Sequence, residues 1–411
     1  LWDSSGPNRA WFLAGCLREL DAELDGRLVV RHGHPADVIP ELCRRHDVRQ
    51  VFRAQDVGVY GRRRDEAVEA ALAADGVEVI ETDTPYVVAP GTLRTKSGDA
   101  FKVYTPYLRA WRQQHLPGVV HRPSEVPTVD GVGSDGVPEP PAVTADLPAP
   151  GEAAAHAALD RFLRTSADAY TDERDFPGGD STSRLSAYLK YGCLHPRQVL
   201  RRLDGRNQSH QVVAQELAWR DFYATVLHVW PASAWSSWDE RMAAMPVDTG
   251  RAADERFDAW RDGRTGYPIV DAGMRQLVAQ GWMHNRVRMI TASFLVKDLH
   301  VDWTRGAKWF MHQLVDGDLP SNNHGWQWVA GTGTDAAPYF RIFNPVTQSE
   351  KFDADGDYIR RWVRELADVE ETAIHQPWTL PGGPPNGYPE PIVDHAAERK
   401  EALRRYEATR S

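Results

Sequence analysis

The sequence predicts two unlike domains in one chain: an α/β layer of the doubly wound type over residues 1–115, and a larger all-α domain over residues 152–411. Three observations carry this expectation. In the first 81 residues, amphipathic helical spacing alternates with short apolar runs, as a parallel sheet with crossover helices requires. Residues 116–151 lose periodicity and contain "GVPEPPAVTADLPAPG", the composition of a linker. Beyond Gly151 the pattern is helical almost to the end, with no repeat that would signal a solenoid.

Residues 9–24 have helical spacing, and the apolar run 28–31 reads as the first strand. A helix at 35–46, a strand at 50–53, a helix at 62–74 and a strand at 77–81 complete the alternation. No GxGxxG follows any of these strands, so a dinucleotide fingerprint is absent. In the second domain, amphipathic runs predict helices at 152–169, 186–190, 196–203, 212–229, 269–280 and 285–299.

Composition narrows the function classes. With 42% hydrophobic and 26% charged residues the chain is a folded protein rather than a disordered one. No apolar run reaches the ~18 residues of a membrane span. Three cysteines (Cys16, Cys43, Cys193) in no CxxC arrangement exclude a disulfide scaffold and point to a reducing, cytoplasmic setting. A net charge of −10 excludes a protein that coats nucleic acid by global charge, but leaves room for a local basic patch. Of fifteen tryptophans only Trp2, Trp11 and Trp111 precede residue 151. Core packing accounts for some of the rest; the uneven density also suits a flat aromatic ligand.

Four stretches combine residue types that can do chemistry. In Asp180-Ser-Thr-Ser-Arg-Leu-Ser186, short hydroxyl residues ahead of a helix can cap it, or leave its N–H groups and Arg184 to hold an anion. In the helix through 215–223, Glu216, Trp219 and Tyr223 share one face with Arg220 beside them, either as a surface helix or as a carboxylate set among aromatics. In Trp282-Met-His-Asn-Arg-Val-Arg-Met289, Asn285, Arg288 and Met289 share a face, Arg286 points elsewhere, and His284 reads as structural. Asp316-Gly-Asp-Leu-Pro-Ser-Asn-Asn-His-Gly-Trp-Gln-Trp328 has carboxylates, amides and indoles in a loop-like context. It suits a polar heterocycle better than a metal, and no metal site is expected.

Together with "GRTGYPIVDAGMRQL" and "GTGTDAAPYFRIFNPVTQ", these stretches resemble the photolyase/cryptochrome family, and within it the bacterial enzymes acting on cyclobutane pyrimidine dimers. The resemblance spans nearly the whole chain and is densest over 170–352. It implies an N-terminal antenna domain and a helical domain holding FAD, with DNA containing pyrimidine dimers as partner and the protein acting as a monomer. By position, it assigns the cofactor to Tyr170, Thr182, Ser183, Arg184, Leu185, Ser186, Arg288, Asp316, Gly317, Asp318 and Asn322. It assigns the DNA face to Arg174, Glu216, Trp219, Arg220, Tyr223, Asn285, Arg286, Met289, Trp328 and Gln348. Glu216 and Asn322 would serve the splitting step, and Trp326 and Trp303 the passage of an electron to the flavin. The implied chemistry is light-driven: one added electron opens the cyclobutane ring of a lesion extruded from the duplex.

Against this family pattern, the first strand of the α/β layer is expected to be missing ahead of Leu1. Gly61 stands where folate-using members carry glutamate, which favours a deazaflavin over a folate as antenna chromophore. The outer member of the tryptophan chain falls in 241–257, which has no tryptophan. Trp235 and Trp238, just upstream, are the substitutes to consider. A cryptochrome-like light sensor without repair activity is the competing reading.

Overall fold

A computed structural model describes residues 5–120, 123, 126–335, 340–370 and 372–409; the opening Leu1-Trp-Asp and the stretch 336–339 of the last motif lie outside them. The helices Pro7–Glu23, Pro35–Arg45 and Val59–Ala74 and the strands Gln50–Ala54 and Glu78–Asp83 fall where the spacing predicts them. The strands pair in parallel, with Val51 opposite Val79 and Phe52 opposite Ile80. Cys43, Val68 and Leu72 pack on the face that carries Val51 and Val79. Strand alternation sends Phe52 to the other face, where it is 61% exposed.

The sheet has two strands among the described residues, which corrects the expected strand at 28–31. That run is extended but lies on the linker. The Val30 carbonyl accepts from the Asp135 N–H at 2.7 Å, and the Val30 N–H donates to Ser134 Oγ at 3.0 Å. Its flanks, Arg27, Arg31 and His32, keep it at the surface, where the linker satisfies its backbone groups. The rest of 116–151 has no helix or strand among its described residues.

The remainder is helical, with Gln208–Val229, Pro268–Gln280, Asn285–Lys297, Trp303–Gln313 and Leu319–Ala330 as its main members. Polar side chains start several of these: Asn207 accepts from Ser209 and His210, and Asp302 from Thr304. The loop reading of the Asp316–Trp328 stretch is corrected. Asp318 caps the helix Leu319–Ala330, and Pro320 sits in its first turn, where no N–H is needed. The helix Tyr104–Arg112 carries Tyr104, Tyr107 and Trp111 into the same buried cluster as Leu185, Tyr188, Leu217 and Phe222. The first 115 residues therefore share apolar core with the helical region. Asp221 reinforces the join: fully buried, it accepts from the N–H groups of Val87 and Val88 and from the indole of Trp111.

Candidate active site

The segment 182–186 leads into the short helix Ser186–Tyr191. Leu185 occupies the cap position and its own side chain bonds none of the first-turn N–H groups, while the Ser183 hydroxyl accepts from the Leu185 N–H at 3.4 Å. The chain turns at Arg184, whose φ of 54° lies in the left-handed region. This lays the guanidinium over the Trp282 ring, 3.7 Å from its centroid, with Nη1 donating to Gln280 Oε1 at 3.3 Å. Arg184 Nε is buried without a hydrogen-bond partner and faces Asp180 Oδ1 at 3.7 Å, while Nε2 of His284 is buried with no hydrogen-bond partner. His284 Nδ1 accepts from the Arg286 N–H at 3.2 Å, which puts the ring proton on Nε2 and leaves that donor unmatched. Burial keeps this imidazole neutral, with its pKa pushed down to about 4. Nothing in the sequence singled out His284; only its three-dimensional setting does.

Three elements meet at Asp316. Arg288 Nη2 donates to both of its oxygens at 2.9 and 3.2 Å, and Ser186 Oγ–H donates at 2.6 Å. Arg288 Nε is held by the Met283 carbonyl at 2.8 Å, which fixes the plane of the guanidinium. Gly317 leaves room for Arg9, whose side chain would sit 3.2 Å from an added Cβ. Asp318 accepts from Lys190 Nζ at 3.3 Å and from the Ser321 hydroxyl at 2.8 Å. Burial alone would raise its pKa, but the nearby charges of Lys190 and Arg220 hold it below the ordinary aspartate value. Asn322 uses its amide N–H groups on the Ala307 carbonyl (3.1 Å) and Asn323 Oδ1 (2.8 Å), so its oxygen is the end it can offer to a ligand.

A polar rim lies on the other side. Arg174 Nη1 donates to Glu216 Oε1 at 2.7 Å, with its guanidinium 5.2 Å from the centre of the Tyr170 ring. Arg286 pairs with Asp175 at 2.8 Å and lies over Phe352, while Asn285 is exposed and Met289 and Gln348 are half-buried. Trp328 is half-buried beside a small cavity it lines with Ser293, Lys297, Phe340 and Phe343. Trp219 stacks on Tyr104 at 3.5 Å, so one face of its indole is already covered. Tyr223 packs on Trp219 and stacks against His324.

Arg220 is a correction to the expected DNA face. Its two terminal nitrogens donate to the Pro85 carbonyl (2.6 Å) and the Leu189 carbonyl (3.1 Å), and it lies over Tyr86. Two backbone acceptors and an aromatic face hold it inside, at the junction with the first part of the chain.

Trp326 is buried against Phe310 and Trp260. A Cβ on Gly306 would fall 2.2 Å from its Cη2, so this glycine makes the close approach of helix and indole possible. Trp303 donates from Nε1 to Ser237 Oγ at 3.2 Å. That hydroxyl sits between Trp235, which is 60% exposed, and Trp238, which packs on Trp230.

The chain matches the family described as DNA photolyase over residues 2–128, and the FAD binding domain of DNA photolyase over residues 213–408. It is 42% identical over 415 residues to the deoxyribodipyrimidine photo-lyase of Streptomyces griseus, covering 98% of this chain and 89% of that one. Among solved structures it is similar to a class III photolyase from Agrobacterium tumefaciens (TM-score 0.89, 36% identity, 98% and 89% covered). It is also similar to a Synechocystis cryptochrome (TM-score 0.86, 28% identity, 97% and 88% covered). The two family matches cover 2–128 and 213–408, the relative's alignment covers nearly the whole chain, and the chain belongs to the DNA photolyase family.

Proposed function

We propose that this chain is a deoxyribodipyrimidine photo-lyase that binds FAD and splits cyclobutane pyrimidine dimers in DNA under light. The observation that carries the proposal is the convergence of Ser186 and Arg288, from two helices, on Asp316, from the turn ahead of Leu319–Ala330, beside the 182–186 turn. The residues present fit a flavin dinucleotide. The first-turn N–H groups, Arg184, and the half-buried Thr182 and Ser183 suit a pyrophosphate. The unmatched buried Nε2–H of His284 suits a ligand rich in acceptors. Leu185, Tyr170, Gly317 and Asp318 line the same region.

Bound there, FAD supplies light-driven one-electron chemistry. Arg288, oriented by Asp316 and Met283, would hold a fixed positive charge beside a bound flavin and would favour its anionic reduced form. Asn322 offers an acceptor, which favours a ring N–H over an unprotonated ring nitrogen. Glu216, held by Arg174, hydrogen-bonds the extruded base, and the free face of Trp219, Tyr223 behind it, Met289 and Trp328 form its apolar walls. Arg174, Asn285, Arg286 and Gln348 meet the backbone and base edges around it. Trp326 and Trp303 carry an electron inward. For the antenna chromophore a deazaflavin is favoured over a folate. A Cβ on Gly61 would already lie 1.9 Å from Asp56 Oδ2, so a glutamate there would displace Asp56.

The test is direct. Protein supplied with FAD should release a yellow chromophore on heat denaturation, and should restore thymine dimers in an oligonucleotide to thymines under blue light but not in the dark. Folded, FAD-loaded protein that leaves the dimers intact in light would overturn the repair assignment in favour of a light sensor.

A further inference from the structure

Cys16 and Cys193 are 177 residues apart in sequence, yet their sulfurs lie 3.4 Å from each other, in hydrogen-bond contact. Cys16 is half-buried on the helix Pro7–Glu23; Cys193 is buried just after the helix Ser186–Tyr191. Their surroundings hold them in register. Phe12 packs on the rings of Tyr188 and Tyr191, the Tyr191 hydroxyl donates to the Arg9 carbonyl, and the Tyr188 hydroxyl donates to the Ala149 carbonyl. A Cβ on Gly15 would fall 2.5 Å from Pro150, so the first helix is seated closely against the segment preceding residue 151. Forming a disulfide needs the sulfurs to approach by about 1.4 Å, within reach of side-chain rotation. Neither the flavin nor the DNA reading uses either cysteine.

We propose that Cys16 and Cys193 form a reversible oxidation site for hydroperoxides, closing a disulfide that ties the first helix to the turn following the helix Ser186–Tyr191. Either thiol can donate in this contact; with Cys16 as donor the thiolate is favoured at Cys193 and the Cys16 pKa rises. In the first step the Cys193 thiolate attacks hydrogen peroxide; the O–O bond breaks, giving Cys193 sulfenic acid and hydroxide. In the second step the Cys16 sulfur displaces the hydroxyl group, the S–S bond forms, and the Cys16 proton leaves with the oxygen as water. The proton lost earlier from Cys193 neutralises the hydroxide. Overall two thiols and one peroxide give one disulfide and two waters, and a dithiol reductant reverses the change.

Cys43 is an internal control: it is buried in a separate cluster with Val68, Leu72 and Val77. The full chain should be treated with hydrogen peroxide, then denatured, and its free thiols titrated alongside an intact-mass measurement. The expected result is a loss of two of the three thiols, a mass lower by about 2 Da in monomeric protein, and full recovery with dithiothreitol. Cys43→Ser should still lose two thiols, whereas Cys16→Ser and Cys193→Ser should show no mass decrease. The proposal fails if the native protein keeps all three thiols. It also fails if it gains oxygen mass without the decrease, or if the loss is unchanged in Cys16→Ser; near-ultraviolet circular dichroism of each variant separates these outcomes from misfolding.

Discussion

Replacing Asp221 by alanine tests how the first 111 residues are held to the helix that carries Glu216 and Trp219. The Asp221 carboxylate is 0% exposed and accepts three hydrogen bonds, from Val87 N–H at 3.2 Å, Val88 N–H at 2.9 Å and Trp111 Nε1–H at 2.9 Å. Alanine strands three buried donors at about 1–3 kcal/mol each, or roughly 3–9 kcal/mol together. An opposing effect is worked from the charge. Burial lifts the carboxyl pKa to about 6 from 3.8, so near neutral pH the native charge opposes folding by about 3 kcal/mol, which the variant escapes. The difference leaves a net loss centred on about 3 kcal/mol. The sign with pH follows from a folded pKa above the unfolded one: the favourable contribution of Asp221 is complete below the unfolded pKa and is lost as pH rises through about 6. Urea denaturation followed by tryptophan fluorescence at several pH values checks both parts. The gap between wild type and Asp221→Ala should widen by about 2–3 kcal/mol on going from neutral pH to about pH 4. A variant more stable than wild type at neutral pH, or a gap that stays constant with pH, would refute the assignment of Asp221 as the buried tie.

Trp219→Ala should weaken binding of dimer-containing DNA by about 5-fold, the low end of the ~1–3 kcal/mol of a stacking wall, because Tyr104 lies directly behind the lost ring and can take its place. Glu216→Ala should lower the yield of splitting per absorbed photon more than it lowers affinity, as measured by titration and by repair under limiting light. Gly306→Ala should destabilise the protein by about 1–3 kcal/mol in a thermal melt, since the clash with Trp326 outweighs the roughly 1 kcal/mol that alanine gains in a helix. Trp303→Phe should slow flavin photoreduction while leaving repair by chemically pre-reduced protein intact. Trp235→Phe and Trp238→Phe tell which indole beside Ser237 passes the charge to solvent, and unchanged transient-absorption decays in both would rule out that segment.

What could be read along the chain is what is decided within a turn or two of it. Periodicity located the helices around 9–24, 35–46 and 269–280 because apolar side chains recur in each at helical spacing. The same local reading took the apolar run at 28–31 for a strand, since nothing nearby reveals that Ser134 and Asp135, a hundred residues on, will satisfy its backbone. It also read Pro320 as a loop marker, although a proline in the first turn after a cap is a helix start. At the site, residue types on one face were legible, but their commitments were not. Arg220, expected on the DNA face, gives two donors to the Pro85 and Leu189 carbonyls, and Trp219 loses one face to Tyr104 across more than a hundred residues. Family resemblance supplied the long-range juxtaposition of Ser186, Arg288 and Asp316 that spacing alone could not. It had nothing to say of His284 or of Cys16 and Cys193. Those become visible only through a buried nitrogen without a partner and two sulfurs in contact, and that is where new chemistry in a known fold has to be sought.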